Sequence, residues 1–557
     1  MRKSAKSNGL TVNFIAGSYV VMLGIDLTKT KCKGFLGFSI HRHDHTENES
    51  YYMKGMKTFQ DTDPGFPSGS QYSTKDHPWQ GFQWADYSAK PGHTYTYTVT
   101  ALKGSPANLV PLAEVKVKVK TEAEENNTHN VYFNRGISAT QEYVRRFGDE
   151  KPSENDPPDS PKFKWLSRGL YEALEKYINS CKANKHSLRI SAYEINYRPF
   201  LKLLKDAITR GVDIKIVYDA RKDSPKKTNE ARISEFGLTQ HCIPRSEGKS
   251  YISHNKFIVK LENNKPISVW TGGTNFSVGG IFGHSNVAHV IEEKDVAKKF
   301  MEYWTALSQD KKTADIKKEV EQISPLPTIP LTAAHHCVFS PRKNIDALDL
   351  YSNLALSAKK GLFITFAFGV NEVFKNVYQN SKATLRFALL EKKTRPMKKG
   401  SPERIAEEKS IDQLRYMPEN IFVIGDFIRS NKFDGWVKES LSNLNRNVQY
   451  VHNKFMLIDP LSENPIVITG SANFSEASTT KNDENMVLIQ GNKRVADIYL
   501  GEYMRLWNHH AFREFLNRPN QGNTKPQPKH LRTDDWWSEY FKNNDKAARR
   551  KYFSGRG

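Results

Sequence analysis

The chain has 557 residues, room for about three or four domains of ordinary size, and carries a formal net charge of +22. With 38% of its residues hydrophobic it is not a disordered polyelectrolyte, and the charge excess points to polyanions, nucleic acid first and anionic lipid surfaces second. Its four cysteines (Cys32, Cys181, Cys242, Cys337) lie far apart with no C-x-x-C pair, which argues against a disulfide scaffold or a cysteine zinc site and fits a reducing compartment.

In chain order, the first residues are basic and 10–27 are fairly apolar, but Asn13, Ser18 and Asp26 interrupt the run and no small-residue cleavage site follows. The alternation Thr11-Val12-Asn13-Phe14-Ile15 reads as a strand rather than a leader. No other stretch approaches a membrane span in length, so a cytoplasmic protein is expected. Residues 1–121 read as all-β, with β-branched or aromatic runs at 18–23, 35–41, 82–87, 95–102 and 113–121 separated by turn residues. The segment from Pro91-Gly92 through Tyr95, Val99, Ala101 and Leu102 resembles the P-G-x-x-Y-x-x-x-V-x-A-L run of fibronectin type III domains. That resemblance implies a sandwich of about 100 residues with a corner tyrosine, a domain that docks or positions something. His41-Arg42-His43-Asp44-His45 offers metal-ligand types but reads as an exposed polar turn.

After a proline-rich stretch at 149–161, two comparable halves follow. The first reads as helix 166–183, strand 188–194, helix 200–210 closed by Gly211, and strand 212–218; the second as helix 345–358, strand 361–367, helix 371–379 and strand 384–390. This rhythm predicts α/β halves, each with a mixed sheet. The expected division is 1–121 for the β-sandwich, 122–325 and 326–516 for the two α/β halves packed as one catalytic unit, and 517–557 for a basic tail. In that tail Pro519, Pro526 and Pro528 precede Trp536-Trp537 and Arg549-Arg550-Lys551. The tryptophans read as a cap on the fold; Arg549, Arg550 and Lys551 are candidate nucleic-acid contacts. His335 and His336 show no evident partner, His509-His510 reads as surface, and Glu194 and Asp219 read as strand-end caps.

The most informative feature is a repeat. His254-Asn255-Lys256-Phe257 recurs as His452-Asn453-Lys454-Phe455, 198 positions later. The first copy is followed by Gly272-Gly273-Thr274-Asn275-Phe276-Ser277, the second by Gly470-Ser471-Ala472-Asn473-Phe474-Ser475, with Lys to Asn 19 positions in both. An internal duplication explains this. The residue types suit phosphodiester cleavage without metal or other cofactor: a neutral imidazole as nucleophile, a second imidazole as proton donor, and lysines and amides around the phosphate oxygens.

The paired motif resembles the phospholipase D superfamily, with its H-x-K-x4-D signature and downstream G-[GS]-x-N-x-[ST] turn, over residues 130–515. The resemblance implies His254 as nucleophile and His452 as general acid, an order the residues themselves leave open. It implies Lys256, Lys454, Asn275 and Asn473 as phosphate ligands, with Ser277 and Ser475 in support. It also places a partner for each imidazole about a dozen positions past the Asn, at Asn286 and Glu484. Glu484 is then expected to serve His452 and keep it cationic. The signature Asp is present as Asp459 but is Leu261 in the first half. The charge favours a nuclease acting on DNA or RNA; the alternatives are a phospholipase D acting on phosphatidyl lipids and a catalytically silent nucleic-acid-binding homologue.

Overall fold

A computed structural model describes residues 1–557 apart from 68–69, 127, 149, 249–250, 427–440, 442–443, 445–447, 518–529 and 557. Pro519, Pro526 and Pro528 therefore lie outside the described residues, as does Asp149 in the proline-rich stretch.

The N-terminal region is all-β. One four-stranded sheet runs Arg2–Ser7, Leu10–Ala16, Val21–Leu27, Gln83–Asp86; the other runs Asn108–Lys120, Thr94–Ser105, Phe35–Asp44, Glu49–Tyr52. Every neighbouring pair in both is antiparallel. Alternating side chains such as Val12, Phe14, Phe38 and Tyr97 fill a shared core. The Tyr95 hydroxyl accepts from the backbone N–H of Lys90 at 2.8 Å, closing a corner. The His41-to-Asp44 stretch is strand, not turn, and Arg42 is buried against Asp86 at 2.8 Å.

The two following halves repeat one topology strand for strand. In the first, the order is His129–Phe133, Val287–Ile291, Lys265–Gly272, Lys256–Glu262, His186–Ala192, Asp213–Asp219, Cys242–Arg245; in the second it is His335–Ser340, Glu484–Gln490, Ile466–Gly470, Phe455–Ile458, Gly361–Phe366, Leu385–Leu390, Asn420–Ile424. In each sheet the first four pairings are antiparallel and the last two parallel. The chain is thus a mixed α/β protein with two duplicated halves behind an antiparallel β region.

Both sheets are buried on both faces, which is why their strands are continuously apolar. Phe257 and Val259 point, with Phe455 and Leu457, into a central core that also takes Phe300 and Tyr303 of the helix Lys294–Ser308 and Tyr499 and Tyr503 of the helix Lys493–Asn517. Ile258 and Met456 point outward into separate cores under the outer helices. The H-x-K strands therefore start at the seam between the halves, and this places their histidines there.

Other expectations change as well. The helix predicted over 166–183 is two helices, Pro161–Ser167 and Leu170–Asn179, because Arg168 and Gly169 both take positive φ (48° and 89°). His510 is fully buried and contacts the Asp426 backbone, and His335 meets His129 at 3.0 Å, which in turn is 2.9 Å from His289. The C-terminal segment is structured: Trp536–Phe541 and Asp545–Phe553 are helical, and Trp536 enters the β-sandwich core, donating to Phe35 O. Trp536 thus caps the fold as expected. Arg550 is buried in an ion pair with Asp26 and is not a surface phosphate contact; Lys551 is exposed, and Arg549 faces a cavity described below. No helix among the described residues is long and apolar enough to cross a membrane.

Candidate active site

Each H-x-K motif is bound by the other half. Ser253 and Asp483 form a parallel bridge, in which His254 N donates to Asp483 O at 2.9 Å. Ser285 and Val451 form the matching bridge, in which His452 N donates to Ser285 O at 3.1 Å. The site is therefore made by two backbone exchanges about a pseudo-two-fold axis.

The side chains cross in the same way. His254 Nδ1 lies 2.9 Å from Glu484 Oε1, and His452 Nδ1 lies 3.0 Å from Asn286 Oδ1. This reverses the expected pairing: Glu484 serves His254, not His452, so it is not what would hold His452 cationic. The reason is the strand exchange, which carries the segment after each Asn across the seam to the opposite histidine.

Both imidazole orientations are fixed. Glu484 also accepts from Ser471 Oγ at 2.7 Å, leaving His254 Nδ1 to donate and its Nε2 to face the pocket. Asn286 Nδ2 donates to the carbonyl of Gly280 at 2.7 Å, which can only accept, so its Oδ1 must face His452. The second Nδ2 hydrogen meets His284 Nδ1 at 2.9 Å. His284 is fully buried, and its ring packs against His452 with centroids 4.5 Å apart and planes tilted by 32°. Gly273 occupies the place of Ser471 in the first half; a Cβ there would sit 3.0 Å from Asn286 Oδ1 and 3.4 Å from His452 O.

Lys256 Nζ donates to His254 O, and Lys454 Nζ to His452 O at 2.6 Å. Asn275 Nδ2 donates to Glu194 at 3.0 Å, and Ser277 Oγ donates to the same carboxylate oxygen at 2.7 Å. Glu194 is thus a site residue rather than a strand cap. Asn473 has no such carboxylate among the described residues; Ser475 bonds Ser478 Oγ at 3.1 Å and caps the short helix Glu476–Thr480. Asn275 Oδ1 and Asn473 Oδ1 are both buried without a protein partner. Asp459 stands at the far end of its strand, taking the N–H groups of Lys359, Lys360 and Gly361 at 2.7–2.9 Å, while Leu261 is simply core.

Burial dominates the electrostatics. It pushes His254 down to about 4, opposed by Glu484, and pushes His452 well below the ordinary histidine range with help from Lys454. It brings Lys256 down to about 7 and takes Lys454 far below the usual lysine range, the neighbouring Lys256 adding to the effect. Each histidine keeps 5% of its surface exposed, so the pocket is deep but reaches solvent. The site's own groups leave it short of negative charge, the condition a bound phosphate relieves.

Behind the motifs stand groups that sequence reasoning missed, Glu391 and Asp483, or read only as a strand-end cap, Asp219. Glu391 accepts the N–H groups of Gln449, Tyr450 and Val451 at 2.8–3.0 Å, anchoring the backbone before His452; burial raises it to about 7 against those three donors. Asp219 does the same before His254, accepting from Ser253 N at 2.7 Å, and burial raises it to about 6. Both close the second parallel strand of their sheet, a position the strand pattern marks. Asp483 takes Arg221 and Arg245 at 3.1 and 3.2 Å, all three side chains fully buried, and no local signal marks that pairing. Among the described residues one group brings potential metal ligands together: Asp44, Glu47 and His93, remote in sequence from both motifs, where His93 already bonds Asp44 at 2.9 Å.

Two duplicated α/β halves with H-x-K motifs crossing at their seam are a phospholipase D-like architecture. Residues 174–307 and 424–507, which hold both motifs, match the family model described as cardiolipin synthase, PLD-like domain. Among solved structures the chain is similar to phosphatidylserine synthase of Haemophilus influenzae Rd KW20, at 12% identity over 62% of this chain and 85% of that one, with a TM-score of 0.42. It is similar to yeast tyrosyl-DNA phosphodiesterase at 13% identity, 57% and 86% coverage and TM-score 0.32. It is also similar to Nuc, a phospholipase D family member of Salmonella typhimurium, at 20% identity, 31% and 94% coverage and TM-score 0.22. No curated protein sequence matches the chain.

Proposed function

We propose that the protein is a phosphodiesterase that cleaves nucleic acid through a covalent phosphohistidine. The observation that carries this reading is the crossed pair: one imidazole backed by a carboxylate, the other by an amide, each supplied by the opposite half.

His254 is the nucleophile. Its Nδ1–H rests on Glu484, so its Nε2 lone pair faces the phosphorus and the carboxylate stabilises the positive charge that grows on the ring as the P–N bond forms. The bound phosphate's negative charge offsets the burial and neighbouring lysines that hold His452 neutral, so its ring takes up a proton on Nε2 with the substrate and gives it to the leaving oxygen as the P–O bond breaks. A neutral amide at Nδ1 stabilises its imidazolium less than a carboxylate would, which keeps the proton transferable. Water then attacks phosphorus, His452 takes a proton from it, and the P–N bond breaks to restore His254. Lys256, Lys454, Asn275 and Asn473 hold the non-bridging oxygens, with Glu194, Ser277 and Ser475 setting the Asn-bearing turns. The chemistry asks for no metal. The +22 charge supports nucleic acid as substrate. The N-terminal sandwich, fibronectin type III-like in its Tyr95 corner, and the C-terminal segment act as its grip.

The test is cleavage of plasmid, single-stranded DNA and RNA in EDTA, with His254→Ala as the inactive control. Full cleavage by that variant overturns the assignment. The matching family model's name favours a second reading, chemistry on a phosphatidyl lipid. Phosphatidylcholine vesicles in parallel separate the two: release of choline with nucleic acids intact selects the lipid.

A further inference from the structure

A cavity of about 1330 Å³ lies where the β-sandwich, the first half, the last long helix and the C-terminal segment meet, lined by none of the motif residues. Its lining holds twelve lysines and arginines against two acids. Both acids are engaged, Asp86 by Arg42 at 2.8 Å and Glu142 by Arg146 at 2.7 Å. Glu502, behind the wall, is shared by Arg168 and Arg505, each at 2.7 Å.

Two arginines in this lining have no carboxylate partner among the described residues. Arg135 donates to Trp165 O at 2.8 Å with its guanidinium 4.6 Å from the Trp165 ring centre. Arg549 donates to Gln83 Oε1 at 3.0 Å and lies 4.8 Å from the Trp507 ring centre, its buried Nε unpartnered. Burial and the like charges of Arg168 and Arg505 push Arg135 down to about 9. Arg532 and Arg550 of the lining are likewise paired, with Asp534 and Asp26, so the uncompensated charge centres on Arg135 and Arg549, and burying it costs stability unless an anion enters. A guanidinium stacked on indole keeps its edge free to fork onto phosphate oxygens.

We propose that this cavity is a second nucleic-acid site, which grips the phosphodiester backbone of a single strand through Arg135 and Arg549. Its volume exceeds the roughly 300–1,000 Å³ of small-molecule pockets, as a chain of several nucleotides requires. The recess is about half open to solvent, so it can take a chain laid along it more readily than the face of a bilayer. Trp84, half-buried, and Tyr87, exposed, offer ring surface for unpaired bases. The wall is shared with the active site. Arg505 donates to Asn134 O at 3.1 Å, and the Asn134 side chain accepts from Asn286 N at 2.7 Å, the residue that orients His452. Asn134 thus links the cavity wall to the residue that orients His452. The assignment of this strand as substrate rests on the phosphodiesterase reading; the binding itself does not.

The experiment is fluorescence anisotropy of a labelled oligothymidine of about 20 nucleotides with the full-length chain, carrying His254→Ala throughout so that nothing is cut. Adding Arg135→Glu and Arg549→Glu is expected to weaken binding by about tenfold or more and to lower the salt slope by about 1.4, two contacts at about 0.7 each. The charge-matched pair Lys205→Glu and Lys318→Glu, on exposed helix positions outside the cavity, is expected to bind as the parent does. Equal losses in both pairs would reduce the effect to net charge and overturn the proposal, as would parent-like binding by the arginine pair. Equal affinity for duplex, lost in parallel, would overturn the single-strand assignment; loss of binding to anionic vesicles but not to oligonucleotide would assign the site to membranes instead. If the arginine variant does not fold, photocrosslinking of 4-thiothymidine oligonucleotide to the parent decides: crosslinks are expected on peptides carrying Trp84, Tyr87 or Trp165, and their absence there overturns the site. Hydrolysis of bis(4-nitrophenyl) phosphate by the chain with His254 intact is scored separately, so a failed phosphodiesterase reading stays distinct from a failed binding site.

Discussion

Glu484 reaches across the seam to His254, its two carboxylate oxygens 2.9 and 3.0 Å from Nδ1, while its other contacts, Ser471 at 2.7 Å and Asn482 at 3.5 Å, come from its own half. A glutamine at this position fits the same space but must turn its amide nitrogen toward either Ser471 or the imidazole. The second choice forces the wrong histidine tautomer, and both remove the charge that stabilises the phosphohistidine. Glu484→Gln is therefore expected to lower kcat by about 10²–10⁴-fold with little loss of stability. Single-turnover cleavage beside a thermal melt checks this, and a parent-like rate would detach Glu484 from the chemistry.

Asn286 fixes the other imbalance. Asn286→Asp would give His452 a carboxylate at Nδ1 and raise the pKa of its imidazolium. A general acid works only while protonated, so the rate falls as pH rises through that pKa; raising it moves the alkaline limb of the pH–rate profile upward, by about one unit for a neighbouring charge. A stronger hold on the proton also slows its delivery, by about tenfold at the plateau. An alkaline limb that stays in place would mean that another group, Lys256 first, sets it.

The repeat was legible because chemistry demands fixed residue types at fixed spacing: His, Lys and Asn fall at the ends of strands whose order is the same in both halves. The crossing was not. Eleven positions past Asn473 is a distance along the chain, and only the pairing of Ser253 with Asp483 and of Ser285 with Val451 says which imidazole lies at its end. The difference between Gly273 and Ser471 was a clue, since the serine bonds Glu484 and the glycine makes room for Asn286. Glu194 and Glu391 were harder, because they act on an amide and on backbone N–H groups rather than on a motif. The arginine run splits for a simpler reason: successive helical residues point in different directions, so Arg549 faces the cavity without a carboxylate, Arg550 at the cavity wall is taken up by Asp26, and Lys551 faces solvent.

The two motif lysines make anion binding a proton-linked event. Both are depressed by burial, Lys256 to about 7 and Lys454 well below its ordinary range. A bound phosphate opposes that shift, so the complex holds more protons than the free protein near neutrality. Binding of inorganic phosphate should therefore take up protons and weaken as pH rises from about 6 to about 9. Calorimetry in buffers of different ionisation enthalpy reads the uptake directly. Lys256→Met should reduce it, and uptake unchanged in that variant would place the linkage elsewhere.

Asp483 joins the halves below the site. Its side chain is fully buried between Arg221 at 3.1 Å and Arg245 at 3.2 Å, and its backbone both donates to Ile252 O at 3.1 Å and accepts from His254 N. Arg245 has a second carboxylate, Asp310 at 2.9 Å, but Arg221 has no ion-pair partner other than Asp483 among the described residues. Asp483→Ala leaves that guanidinium charged in a dry interior, and a broken buried pair costs about 3–5 kcal/mol. The loss should exceed that of Asp483→Asn, whose Oδ1 still accepts one bond, and urea unfolding ranks the two. Because the same segment carries Glu484, cleavage should fall with stability in both variants even below the unfolding transition. A double variant that also replaces Arg221 by methionine removes the stranded charge and should recover stability without recovering the rate; recovery of both would show that the ion pair, and not the register it sets, is what the active site needs.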